Sequence, residues 1–297
     1  MRRMSDHAAF AHDLAALLQG RGFVDLSDWR KVRLHGDDVV SWLHDLLTAD
    51  IAGLRPGDAC RSLLLTPAGR IRADVQVLRR EHDLVLVQAP DQPEHIGLLL
   101  SPYVLSSDVL LEDATSSLDL FAIPGAGASV VGLPATAPSV LGPGVDLLAA
   151  TGKPAWRAQD ALVKADLVEV SHEAADAWRI LVGIPRMGAD FTQESLPAEA
   201  RLDDTIDATK GCFLGQESVA KIRNLGHPPR ILRHVQSAAP FVPGAPVFED
   251  ATVVGAVTSA APLPDACVGF VRVVWAAATA HLTDSQQRPL HDVPSAG

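Results

Sequence analysis

Lys210-Gly211-Cys212-Phe213-Leu214-Gly215-Gln216-Glu217 sets a cysteine between two glycines, beside a lysine, where a loop enters a helix expected over residues 217–222. Glycines at such a place let backbone N–H groups approach a ligand and supply turn angles that other residues resist. A helix N-terminus and a neighbouring ammonium both favour thiolate, so the local chemistry nominates Cys212 as a reactive sulfur. The plainer reading of the same residues is a small cysteine buried in a tight turn.

Outward from this stretch, the other two cysteines, Cys60 and Cys267, are far away in sequence and no Cys-x-x-Cys pair occurs. Zinc ribbons and dithiol redox motifs are therefore not expected, and a reducing compartment, the cytoplasm, is. The chain has 297 residues, 47% hydrophobic and 21% charged, which suits an ordinary globular protein of two or more domains. A net charge of −11 argues against a general nucleic-acid partner, which needs a basic surface. Arg272 interrupts the longest apolar run, 266–280, so no membrane span is expected.

Ser5 and Asp6 offer a helix N-cap, and Phe10, Leu14, Leu17 and Leu18 follow at helical spacing up to Gly20. Residues 24–26 and 31–34 read as strands, and a helix starting at Gly36-Asp37 carries Val39, Leu43, Leu46 and Leu47 on one face. Residues 61–65 and 70–78 read as a hairpin about Thr66-Pro67-Ala68-Gly69. Strands follow at 84–88, 109–111 and 118–123, with a helix after Asp91. Pro124, Pro134, Pro138 and Pro143 with five glycines make 123–144 a loop-rich seam. A helix is expected near 158–163 and a strand around 178–182. Beyond Pro228-Pro229, short apolar runs at 231–235, 252–258 and 267–274 suggest a small β-barrel. The fold class is thus α+β with a C-terminal barrel, divided into domains 1–230 and 231–297.

Within the hairpin, Ile71, Ala73, Val75 and Val77 form one face, which puts Arg72, Asp74 and Gln76 on the other. Such a face is either solvated or lines a cavity. In the second case Asp74 can handle a proton or bind a donor-rich ring, and Arg72 can take a carboxylate. Arg179, at strand-like spacing, is either half of a structural ion pair or a ligand anchor. The eleven histidines show no metal-ligand spacing, and no dinucleotide, P-loop or nucleophile-elbow motif is present.

The Lys-Gly-Cys-Phe-x-Gly-Gln-Glu run closely resembles the signature of the YgfZ family of folate-binding proteins. These are relatives of the glycine-cleavage T protein (aminomethyltransferase) implicated in iron–sulfur protein maturation. Leu34-His35-Gly36-Asp37-Asp38, the hairpin 66–77, and Arg179-Ile-Leu-Val-Gly-Ile-Pro-Arg-Met-Gly agree with it in order. The resemblance implies an aminomethyltransferase-like folate-binding fold: α+β subdomains around a central channel, plus the barrel. It implies tetrahydrofolate as ligand and iron–sulfur clients or assembly factors as partners, beside the absence of nucleic-acid and membrane partners expected from charge and hydropathy. By it Cys212 and Asp74 carry the chemistry, while Arg72, Asp146, Arg179, Lys210, Gly211, Gly215, Gln216 and Glu217 hold the cofactor, with no metal.

The departures weigh against plain aminomethyl transfer. The paired aspartates of the transferases read Ala73-Asp74 here, and the loop 141–147 lacks the glutamate that holds their pterin, keeping Asp146. Ala175 stands where they have an arginine. The resemblance therefore implies a folate-dependent maturation or repair factor first. A one-carbon transferase comes second, and a scaffold with a relict folate site third. The sulfur of Cys212 has three open roles: accepting a one-carbon group, contacting a cluster, or redox chemistry.

Overall fold

The structure is a computed structural model that describes residues 2–105, 107–127, 132 and 135–294, without the side chains of residues 2–7, 153–157 and 225. Pro134 of the expected seam lies outside the described residues, as does the side-chain N-cap expected at Ser5 and Asp6. No helix among the described residues is long and apolar enough to cross a membrane. The chain divides into two compact units.

Unit 1 comprises Met1–Leu65, Arg72–Trp178 and Thr205–Leu214. Its larger sheet runs in the order β3-β4-β5-β2-β6, from Ala59–Leu65 (β3), Ile71–Arg79 (β4), Leu84–Gln88 (β5), Arg30–His35 (β2) and Leu110–Asp113 (β6). The β3–β4 turn closes as expected: Thr66 N–H donates to Arg70 O, and Gly69 N–H to Thr66 O, both at 2.8 Å. Helix α2 (Val39–Leu46) and α3 (Ile96–Leu100) cover the sheet, burying Val39, Leu43 and Ile96 among Val75, Val77, Leu84 and Leu86. A second sheet, β8-β7-β1-β9, joins Gly144–Ala150 (β8), Leu118–Pro124 (β7), Gly22–Asp25 (β1) and Val168–Glu169 (β9). Helix α4 (Lys153–Lys164) buries Ala158 and Leu162 against its Phe23, Phe121, Ile123 and Val145. The opening helix, α1, spans Arg2–Leu18.

The strand expected around 178–182 is instead the second half of a helix, α5 (His172–Leu181). The alternation of Trp178, Ile180 and Val182 is real, but upstream Ala174, Ala175 and Ala177 favour helix and are buried on the same element. Ser171 Oγ accepts from Ala174 N–H at 3.4 Å at its start, a capping signal that local alternation hid.

Unit 2 comprises Thr66–Ile71, Arg179–Asp204 and Gly215–Gly297. Its centre is the expected barrel, closed in the order β10-β13-β12-β11-β14-β15. The strands are Arg230–Ser237 (β10), Pro246–Glu249 (β11), Thr252–Pro262 (β12), Cys267–Val274 (β13), Leu282–Thr283 (β14) and Pro289–Asp292 (β15). Val235, Val247, Val257, Val271 and Leu282 fill it. Helix α6 (Gln216–Leu225) lies over the hairpin tip, where Ser218 Oγ donates to Pro67 O at 2.9 Å.

One buried polar knot ties the approach segment to the barrel. Strand β12 carries a bulge between Val257 and Ser259, which inserts Thr258 as an extra residue. Consecutive strand residues normally point to opposite faces, yet the bulge lets the hydroxyls of Thr258 and Ser259 both reach Asp190 Oδ1, at 2.7 and 2.5 Å. The other oxygen of Asp190 accepts from Arg179 Nη1 at 2.5 Å, and Arg179 Nη2 donates to Ser259 Oγ at 2.9 Å. Arg179→Ala would leave Asp190 buried without its cation. We predict a loss of about 3–5 kcal/mol, read as a lower urea midpoint; an unchanged midpoint would contradict this account of the knot.

Candidate functional site

Of the three cysteines, Cys212 is exposed, Cys60 half-buried and Cys267 buried. Burial, with Asp50 adding to it and Lys210 opposing it, pushes the Cys60 thiol up to about 12, so at neutral pH this sulfur holds its proton. Burial also raises the Cys267 thiol, which lies in the barrel core. The exposed sulfur thus belongs to the motif, and the other two thiols, both raised by burial, are inert by comparison.

The motif is held at both ends. Lys210 reaches back to the turn after α2: its ammonium donates to the carbonyls of His44, Leu47 (2.7 Å) and Ala49 (3.0 Å). Carbonyls at and just beyond a helix C-terminus carry partial negative charge, so they suit an ammonium. Burial lowers the Lys210 pKa, against Asp45, Asp50, Asp207 and Cys60, which raise it. The ammonium also lies 5.6 Å from the centroid of the buried Phe213 ring. The sequence nominated Lys210 for ligand contact; its nitrogen is spent instead on fastening the loop. Thr48 extends the same seam, donating to Thr205 O at 2.8 Å and accepting Asp207 N–H on its carbonyl at 3.0 Å. Gly211 is exposed. Gly215 takes φ +85° at the N-cap of α6, a left-handed angle that a glycine holds without strain, and Gln216 and Glu217 begin the helix.

The β4 face carrying Asp74 and Gln76 is buried rather than solvated. Asp74 receives Arg61 in a two-pronged bond, Nε to Oδ1 at 2.8 Å and Nη2 to Oδ2 at 2.6 Å. Gln92 clamps the backbone of the same residue, accepting from Asp74 N–H at 3.1 Å and donating to Asp74 O at 2.6 Å. Both carboxylate oxygens are thus engaged by one guanidinium, which Asp74 would have to leave before either could meet a ligand. Arg72, on the same strand, pairs with Glu94 through Nε (3.3 Å) and Nη2 (3.2 Å). Both side chains are partly exposed, so this pair is screened and exchangeable. Arg61, Glu94, Gln92 and Asp190 were not singled out from sequence. The available signal for Arg61 was its place on the strand neighbouring Asp74 in a hairpin already visible.

Gln76 continues the row toward the loop 138–146, donating to Pro138 O at 2.8 Å. There Asp146 is fully buried, with Ser139 Oγ at 2.5 Å from Oδ1 and Val140 N–H donating to Oδ2 at 2.9 Å. Thr136 Oγ1, on the residue bridged to Asp146, is buried with no hydrogen-bond partner. Burial outweighs both hydrogen bonds and pushes the Asp146 carboxyl from 3.8 up to about 7.

The unfolded chain releases this proton near pH 4, whereas the folded chain keeps it to about pH 7. Stability therefore falls as pH rises through that interval, by about 4 kcal/mol at about 1.4 kcal/mol per pH unit. Asp146→Asn imitates the neutral acid, accepting from Val140 N–H and donating to Ser139 Oγ. In thermal melts its advantage over the parent protein should grow from pH 5 to pH 8; parallel curves would refute the buried neutral acid.

Residues 2–136 match the GCVT N-terminal domain model. The chain is 25% identical over 275 residues to a chloroplastic transferase-like protein of Arabidopsis thaliana, covering 83% of this chain but only 63% of that protein's length. It is 27% identical over 276 residues to the tRNA-modifying protein YgfZ of Serratia proteamaculans, covering 84% and 83%. An aminomethyltransferase of Streptomyces avermitilis is 26% identical over 282 residues, covering 82% and 75%. Among solved structures, the glycine cleavage system aminomethyltransferase T from Bartonella henselae superposes with a TM-score of 0.80 at 21% identity, over 95% of this chain and 88% of that one, which establishes the shared fold. Together, the domain match and these relatives support a YgfZ/GcvT-like, aminomethyltransferase-related family for the chain.

Proposed function

We propose that this protein binds tetrahydrofolate and serves in the maturation or repair of iron–sulfur proteins, presenting Cys212 to its clients. The observation that carries this reading is a contrast. The sulfur of the intact Lys-Gly-Cys-Phe-Leu-Gly-Gln-Glu loop is exposed, while the acid that a transferase would use, Asp74, is neutralised by Arg61.

Several nominated polar groups are already satisfied inside the protein: Arg179 by Asp190, Lys210 by backbone carbonyls, Asp146 by Ser139. The Arg72–Glu94 pair differs, being partly exposed and held at ordinary distances. Its chemistry fits a folate. The guanidinium can exchange Glu94 for a ligand carboxylate, and the released Glu94 can accept from the donor-rich pterin edge. When bound, tetrahydrofolate supplies a carrier nitrogen for a one-carbon unit. The protein's part is to orient that ligand with Arg72 and Glu94 and to hold Cys212 in solvent on a loop fastened by Lys210. A thiolate at that position is a nucleophile and a soft metal contact. A one-carbon transferase, the second reading, would need Asp74 to part from Arg61. Turnover of an aminomethyl-lipoyl carrier protein, abolished by Asp74→Asn, would establish it in place of the first.

Cys212→Ala should fold and melt like the parent protein, because its side chain is exposed. It should nonetheless fail to restore iron–sulfur enzyme activity in cells lacking the protein; full rescue would sink the proposal. With a disulfide reagent at pH 8, one thiol should react fast and disappear in that variant, since a thiol raised to about 12 is almost wholly protonated there. Titrated with tetrahydrofolate, the protein should give saturable heat, and Arg72→Ala should weaken binding by about tenfold, the worth of one charge-assisted bond. Equal affinity would remove Arg72 from the site.

A further inference from the structure

Strand β6 ends the larger sheet of unit 1, and its outer edge is open among the described residues. Its register against β2 pairs Arg33 with Glu112 and His35 with Leu110, while Ala114 N–H donates to Lys31 O at 2.9 Å. In an antiparallel ladder, residues opposite one another alternate between hydrogen-bonded and non-bonded pairs. Since Lys31–Ala114 is a bonded pair, so are Arg33–Glu112 and His35–Leu110. The N–H and C=O groups of Leu111 and Asp113 therefore point outward, away from β2.

The same two residues line a cleft of about 350 Å³, together with Val32, His95, Gly97 and Leu98. Helix α3 covers the sheet over β2 but leaves this space beside β6. Open backbone groups and an apolar recess thus coincide on one strand. The neighbouring apolar side chains are unusually bare: Leu98 is 73% exposed, and Leu110, on the other face of β6, is 57% exposed. Leu105, in the loop before β6, holds φ +36° and is 90% exposed. Such bare apolar side chains beside an open sheet edge mark a contact surface, and the acids on the same strand guard it against another acidic edge.

Charge selects the occupant. Asp108, Glu112 and Asp113 are exposed along this edge, and Glu112 has Arg33 at 3.8 Å. Asp113 Oδ1 accepts from Thr115 N–H at 2.9 Å, and its Oδ2 lies 4.0 Å from His95 Nε2. His95 Nδ1 accepts from Gly97 N–H at 3.1 Å, so the proton of the neutral ring sits on Nε2, toward Asp113. A second copy of this chain, paired through β6, would bring like acids together across the edge. We infer that the β6 edge and its cleft dock an extended segment of a partner protein in which basic and apolar residues alternate. The segment adds as a sixth strand, exchanging backbone hydrogen bonds with Leu111 and Asp113, placing apolar side chains on the cleft face and setting its basic residues on the opposite face, against Glu112.

The test uses the full chain and a capped, fluorescein-labelled Lys-Leu-Lys-Val-Lys peptide, with Glu-Leu-Glu-Val-Glu and a backbone N-methylated form as controls. Anisotropy should show saturable binding of the basic peptide, weakened about tenfold or more by N-methylation or by Leu98→Glu, an exposed position whose change leaves the fold intact. Amide exchange at Leu111 and Asp113 should slow when the peptide binds. The inference is overturned by equal binding of the acidic peptide, by unchanged exchange at those two amides, by the absence of saturable binding, or by sedimentation showing a dimer that Leu98→Glu dissolves.

Discussion

The ammonium of Lys210, seated on the carbonyls of His44, Leu47 and Ala49, is the contact on which the candidate site depends. It costs desolvation, visible in the lowered pKa of the lysine, and it is offset by carbonyl dipoles and three nearby aspartates. With that anchor made, the next two residues stand clear of the body and Cys212 meets solvent, while Phe213 turns back into the interior. The glycines on either side then have a mechanical meaning. Gly215 reverses the chain at a left-handed angle into α6, and the exposed Gly211 adds no side chain beside the sulfur.

Elsewhere in unit 1, two of the acids that the sequence nominated are held inside the protein. Arg61 neutralises Asp74, and Asp146 stays protonated inside its turn up to about neutral pH. A carboxylate held by a guanidinium is a structural acid, and a fully buried neutral one is a hydrogen-bond donor. Neither is the free base that aminomethyl transfer would call for. In the proposed function, the exposed thiol and the partly exposed Arg72–Glu94 pair are what the protein offers to a ligand or a client.

Much of the architecture was legible because it rests on short-range signals. The hairpin at 66–69 has its turn residues in place, and the barrel strands announce themselves by alternation between prolines and glycines. Helix α5 was misread because Trp178, Ile180 and Val182 alternate at strand spacing, whereas the buried alanines preceding them set a helical period. The polar partners were illegible for another reason. Arg61 is 13 residues from Asp74, Glu94 is 22 from Arg72, and Ser259 is 80 from Arg179. Pairing across such separations is decided by strand order and by a bulge, not by local pattern. The bareness of Cys212 belongs to the same class, since a Gly-Cys-Phe run is equally compatible with a buried turn.

The most direct test of the anchor is amide hydrogen exchange across residues 207–214 in Lys210→Met, read beside the recovery of iron–sulfur enzyme activity with Cys212 untouched. Faster exchange confined to that loop, by about tenfold or more, together with lost recovery is the expected outcome. Exchange and recovery both equal to the parent protein would contradict the claim that this ammonium holds the sulfur in its working position.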